Sequence, residues 1–204
     1  MAIAQPRHIE WQEEDEVPAM EPCKRLLTVE EYHRMGEVGI FARKERLELI
    51  RGEIYKMTPI GNRHATCVRR LIHIFHQRFG LKATLDAQNP VLFPEQESEP
   101  QPDITLLQYR DDFYGSAHPQ PKDVLLLVEV AESSTVYDRK LKLPLYAQSG
   151  IAEFWLVDLK KASIWVHRHP TPEGYRKVQE YRRGEEISPE AFPDERFAVD
   201  EILG

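Results

Sequence analysis

The sequence predicts a mixed α/β (α+β) domain, with a central sheet flanked by helices, one hairpin ahead of it and another after it. Three patterns carry this reading. Over residues 64–79, Val68, Leu71, Ile72, Phe75 and Phe79 recur at helical spacing and form one apolar face. The run VLLLVEV at 124–130 is apolar almost throughout, as a central strand covered on both faces must be. Around these two segments the apolar and punctuation signals give the core order helix, strand, strand, strand, helix, strand, which suits a mixed sheet between helices.

The elements follow in order. Residues 1–25 mix Pro, Glu and Asp with few apolar groups and read as a flexible arm. Thr28 is an N-cap candidate, and Glu31 three residues on completes a capping box for a short helix that Gly36 would stop. Residues 46–57 (RLELIRGEIYKM) read as two strands around an Arg51-Gly52 turn. Gly80 ends the long helix. Residues 83–93 and 103–108 read as strands separated by a polar loop, and 109–123 is irregular. A helix is expected over 138–149, and Pro144 fits it only if Leu143 begins its first turn. Residues 153–158 are the last core strand, and 163–168 with 175–181 form a peripheral hairpin. The domain is placed at 26–188, with 189–204 as a C-terminal tail.

The 204 residues suit one domain, and 41% hydrophobic content is enough for a core. The net charge of −7 argues against a generally basic nucleic-acid coat. One stretch departs from it. From Ile60 to Lys82 there are five Lys or Arg residues and no acid, so Arg63, Arg69 and Arg70 are candidate nucleic-acid contacts. No apolar run approaches the ~20 residues of a membrane span. Two cysteines, Cys23 and Cys67, make no disulfide framework, and the cytoplasm is the expected compartment.

Three features bear on chemistry. Glu129 interrupts the apolar strand; such a carboxylate either faces water at a strand end or needs a partner or a metal. Pro102-Asp103 enters the preceding strand, where Pro-Asp is also a common loop junction. Lys140 and Lys142 lie on the following helix, where lysines usually face solvent. If they converge, two carboxylates on neighbouring strands hold Mg²⁺ or Mn²⁺, and a lysine stabilises developing negative charge. Other chemistries find less support. His73 and His76 lack a third zinc ligand, Ser133, Ser134 and Thr135 lack a nucleophile elbow, and no Gly-rich phosphate loop is present.

The strings RLELIRGEIYKM, GNRHATCVRRL, AQNP at 87–90, QPDI at 101–104 and the block VEVAESSTVYDRKLKLPLYAQSGIAEFWLVD at 128–158 together resemble the Uma2 family of restriction-endonuclease-like proteins. That family is similar to the PD-(D/E)XK nuclease superfamily. The resemblance implies a restriction-endonuclease-like core and a metal-dependent DNA endonuclease, with Asp103 and Glu129 as metal ligands and Lys142 as the catalytic lysine. The superfamily's usual lysine position is occupied by Ala131, so the lysine is displaced to the helix, with Lys140 as rival. Glu48, Glu53, His64 and Gln88 match further family positions and are candidates for extra ligands or supporting groups. The resemblance also implies Mg²⁺ or Mn²⁺, DNA as partner and a homodimer. The alternative is a nuclease-fold protein that binds nucleic acid or a protein partner without cutting.

Overall fold

A computed structural model describes residues 23–42, 44–132 and 137–204. Most of the predicted N-terminal arm, and Ser133, Ser134 and Thr135, lie outside the described residues. Helix α1 (Val29–Glu37) starts as its sequence dictates. The Thr28 side chain accepts from the Glu31 N–H, and the Glu31 carboxylate accepts from the Thr28 N–H. The hairpin β1 (Leu47–Ile50) and β2 (Glu53–Lys56) turns through Arg51 and Gly52, both at positive φ (52° and 74°), as a two-residue hairpin turn of this hand requires. Gly52 is needed for a second reason. A Cβ there would stand 2.7 Å from both Leu26 Cβ and the Leu27 carbonyl oxygen.

Helix α2 (Asn62–Phe79) buries Cys67, Val68, Leu71, Ile74, Phe75 and Phe79 against the main sheet. That sheet has six strands in the order β3 (Ala83–Asp86), β4 (Ile104–Gln108), β5 (Val124–Ala131), β6 (Glu153–Asp158), β7 (Ser163–Thr171) and β8 (Gly174–Arg182). Only β5 and β6 are parallel; the other neighbours are antiparallel. The β5–β6 crossover contains a π-helical turn (Asp138–Lys142) that leads into α3 (Leu143–Gln148). Pro144 is the second residue of α3, directly after the π-helical turn. Helix α2 covers one face of the sheet, and α3 helps cover the other with Leu145 and Tyr146.

Two predicted boundaries change. The strand expected over 83–93 ends at Asp86. There the Asp86 carboxylate accepts from the Ala87 N–H, and Gln88 takes a positive φ of 56°, so the chain leaves the sheet. Residues 189–204, expected as a tail, are folded. They form β10 (Phe197–Ala198), paired with β9 (Glu186–Ile187), and α4 (Val199–Leu203). Phe197, Val199 and Ile202 are fully buried beside Phe75 and Phe79. No helix among the described residues is long and apolar enough to cross a membrane.

His167, on β7, is 6% exposed and packs between the rings of Phe154 and Tyr175. Burial pushes its pKa down to about 4, against an opposing pull from backbone acceptors. The folded chain thus holds it neutral at pH values where the unfolded chain protonates it. Between about pH 6.5 and 4 the unfolded state takes up more protons, and stability falls as pH falls, by an amount on the order of 3 kcal/mol. Urea unfolding of wild type and His167→Phe over this range should show a smaller loss in the variant. Equal losses would mean that His167 titrates normally in the folded chain.

Candidate active site

Strands β4 and β5 pair with Ile104 opposite Val128. Continuing that register by one residue puts Asp103 opposite Glu129. The contact is reinforced by the Val130 N–H, which donates to Asp103 Oδ2 at 2.9 Å. Side chains on directly opposed positions lie about 4.5–5.5 Å apart at Cβ, and two like charges so placed repel. Both carboxylates are buried, Asp103 to 7% exposure and Glu129 to 4%. Each is answered by a different element of the fold.

Asp103 is held from the helix and the loop. His64, in the first turn of α2, places Nε2 2.9 Å from Oδ2, and Gln88 donates from Nε2 to Oδ1 at 3.1 Å. Burial works against the charge of Asp103, yet the His64 bond and charge, the Val130 N–H and Gln88 outweigh it and keep the carboxyl below the ordinary carboxylate range. Burial likewise disfavours the His64 cation, and the Asp103 carboxylate reverses that and raises the imidazole pKa.

Glu129 is held from the crossover. Lys142 Nζ donates to Glu129 Oε1 at 2.9 Å, and the Tyr146 hydroxyl donates to the same oxygen at 2.7 Å. Lys142 also donates at 2.9 Å to Glu48 Oε1, from β1. Glu48 further accepts from the Gln101 N–H at 2.7 Å and from the Tyr137 hydroxyl at 3.2 Å. One buried cation thus stands between two buried carboxylates. Burial pushes the Glu129 carboxyl up to about 8, Lys142 opposes this, and Asp103, Asp138 and Glu48 reinforce it. Burial also disfavours the Lys142 charge, but Glu129, Glu48 and Asp138 prevail and hold its pKa well above the usual value.

Asp103, Glu129, Lys142 and His64 line one cavity of about 70 Å³, together with Arg46, Gln101, Glu132 and Asp138. At about 10–15 Å³ for each enclosed water, it has room for a small hydrated cation. The two carboxylates suit a hard ion of the magnesium kind, which binds through one or two carboxylates and keeps several waters. Among the described residues no three His, Cys, Asp or Glu side chains are placed to hold an ion by themselves.

The other sequence candidates divide. Glu48 joins the network through Lys142. Glu53 does not. It lies on the open side of the hairpin, bonded to Lys24 at 3.0 Å and Tyr55 at 2.7 Å. Lys140 is exposed, whereas Lys142 is 1% exposed. Arg63 is engaged by Glu132 at 3.4 Å and the Leu159 carbonyl at 3.0 Å, and Arg70 by the Ile202 carbonyl at 3.2 Å. Of the three basic candidates Arg69 alone has no bonding partner among the described residues. His73 and His76 are exposed on α2. Tyr137 and Tyr146 were not among the sequence candidates, and both bond to carboxylates of this network. Tyr146 follows Lys142 by four residues, a spacing that puts both on one helix face, and that was the available signal.

Among solved structures, the chain is similar to one from Anabaena variabilis ATCC 29413 described as "a putative nuclease belonging to DUF820". The TM-score is 0.68 at 12% identity, over 87% of this chain and 97% of that one, which is a likeness of fold. No curated protein matches. The pattern of the Uma2 family, described as "Putative restriction endonuclease", matches residues 29–200. With that pattern matched over most of its length, the chain belongs to the Uma2 family.

Proposed function

We propose that this chain is a divalent-metal-dependent endonuclease that hydrolyses phosphodiester bonds in DNA. The observation that carries the reading is the opposition of Asp103 and Glu129 at one cavity, with Lys142 bonded to Glu129. Asp103 and Glu129 would hold Mg²⁺ or Mn²⁺. The ion would supply Lewis acidity at a phosphate oxygen and a lowered pKa for a bound water. The chain's own groups set the frame. Val130 N–H, His64 and Gln88 fix the Asp103 carboxylate, and Tyr146 fixes that of Glu129. Lys142 brings a positive charge to a site where negative charge develops in the transition state. One such site cuts one strand at a time, so double-strand cleavage in this reading is the work of a homodimer. The free thiols Cys23 and Cys67 fit a reducing compartment, the cytoplasm.

A second reading, nucleic-acid or protein binding without cleavage, is favoured by one observation: Lys142 is already engaged by two carboxylates. Plasmid nicking separates the two. Wild type should nick with Mg²⁺ or Mn²⁺ and not with EDTA. Asp103→Asn should lower the rate by more than about 100-fold, the upper end for residues that merely support a ligand. Calorimetry should show Mn²⁺ binding that weakens in the same variant. Metal-dependent nicking that survives in Asp103→Asn would remove the assignment, and a wild type that binds neither ion would favour the second reading.

A further inference from the structure

Arg46 stands just ahead of β1 and was not among the sequence candidates. Its carbonyl closes the hairpin by accepting from the Met57 N–H at 2.9 Å. Its half-buried side chain lines the cavity with Asp103, Glu129 and Lys142. The guanidinium makes no hydrogen bond or ion pair among the described residues.

The other cationic side chains around this cavity are each bonded to a carboxylate. Lys142 is bonded to Glu48 and Glu129, and His64 to Asp103. Arg63, beside the mouth, is bonded to Glu132 and the Leu159 carbonyl. The N-terminus of α2 faces a carboxylate too: a Cβ on Gly61 would stand 3.0 Å from Glu132 Oε2. Against these, four acids line the cavity: Asp103, Glu129, Glu132 and Asp138. A phosphodiester entering there meets net negative charge and one uncommitted guanidinium. An arginine fork matches two phosphate oxygens at once, which an ammonium does not.

We propose that Arg46 is a substrate-binding residue, receiving the non-bridging oxygens of a nucleic-acid phosphate at the mouth of this cavity. The inference rests on the nuclease reading and adds to it the group that admits the substrate's charge.

The test uses the full chain with a fluorescently labelled DNA duplex. Anisotropy is read in Ca²⁺ over a series of NaCl concentrations, and nicking is read in Mg²⁺. Arg46→Ala should weaken binding by roughly 10- to 100-fold, as expected for losing one charge-assisted contact. The slope of log affinity against log salt should fall by about one. KM should rise more than kcat falls. Arg46→Lys should restore the salt slope and only part of the affinity. Thermal unfolding of Arg46→Ala should match wild type, because the side chain holds nothing in the fold. If wild type binds and cuts while Arg46→Ala does so with unchanged affinity and slope, the Arg46 proposal falls and the nuclease reading stands. A drop in the unfolding midpoint of Arg46→Ala would make its role structural and overturn the proposal. If wild type neither binds nor cuts with any divalent ion, both readings fall together.

Discussion

Lys142→Ala should destabilise the protein by about 3–5 kcal/mol, the range for removing one partner of a buried ion pair. The side chains of Lys142, Glu48 and Glu129 are 1%, 0% and 5% exposed, so water cannot replace the lost cation. Tyr137, Tyr146 and the Gln101 N–H would remain as donors to the two carboxylates, but none carries charge. The penalty has a direction in pH. Burial already holds the Glu129 carboxyl above the ordinary carboxylate range, and without the opposing Lys142 charge that shift grows, so the folded state binds more protons than the unfolded one. Its destabilisation therefore grows as pH rises above the ordinary carboxylate range and shrinks in acid, where Glu129 is neutral. Urea titrations at pH 5 and pH 8 give the comparison. A second substitution, Glu48→Gln, should recover part of the loss, since it removes one of the stranded charges. A loss below about 1 kcal/mol at pH 8, the range of an exposed pair, would mean that the network is not buried in solution.

Deleting residues 189–204 should leave a chain that does not fold cooperatively. The deletion removes Phe197, Val199 and Ile202, all fully buried, and Phe192, which packs on Phe79. Each large buried side chain contributes roughly 2–5 kcal/mol on truncation to alanine. Their sum reaches the whole stability of an ordinary domain, about 5–15 kcal/mol. Phe197 alone contacts the rings of Phe75, Phe79 and Trp155, so Phe197→Ala should cost about 3–5 kcal/mol. Calorimetry of the shortened chain is decisive. A sharp transition near the wild-type midpoint would show that the segment is an appendage after all.

The sequence was most readable where one local rule acts alone. The Thr28–Glu31 capping box, the Arg51-Gly52 turn and the apolar stripe of α2 depend on residues within a few positions of one another, and each stands where expected. The pairing of Asp103 with Glu129 was half legible. An acid inside VLLLVEV is conspicuous, but strand parity leaves its direction open until the β4–β5 register is known. Glu48 was less legible still. All four β1 residues, Leu47 to Ile50, are buried, so no polar–apolar alternation marked its direction, and its partner Lys142 lies 94 positions away. The final segment misled because its apolar residues, Phe197, Val199 and Ile202, are spread over a two-residue strand and a five-residue helix, too short for either period to show. Arg46 carried no signal beyond being one arginine in a charged stretch.

The β4–β5 pairing has a consequence for variation among related chains. From Ile104 to Leu106 the register is constant, and between Leu106 and Leu107 it shifts, so that Leu107 pairs with Val124 rather than Leu125. The bulge lies on the side away from Asp103 and Glu129, toward the connection 109–123. A bulge absorbs an extra residue without moving the pairs beyond it. The far connection can thus gain or lose length, and a residue can enter or leave at the bulge, while the two carboxylates stay opposed. A slip at the near end would instead turn one of them to the opposite face of the sheet. Insertions should therefore be tolerated in 109–123 and rejected between Asp103 and Leu106, which makes this connection the natural place to graft a new binding loop beside an unchanged pair of opposed carboxylates.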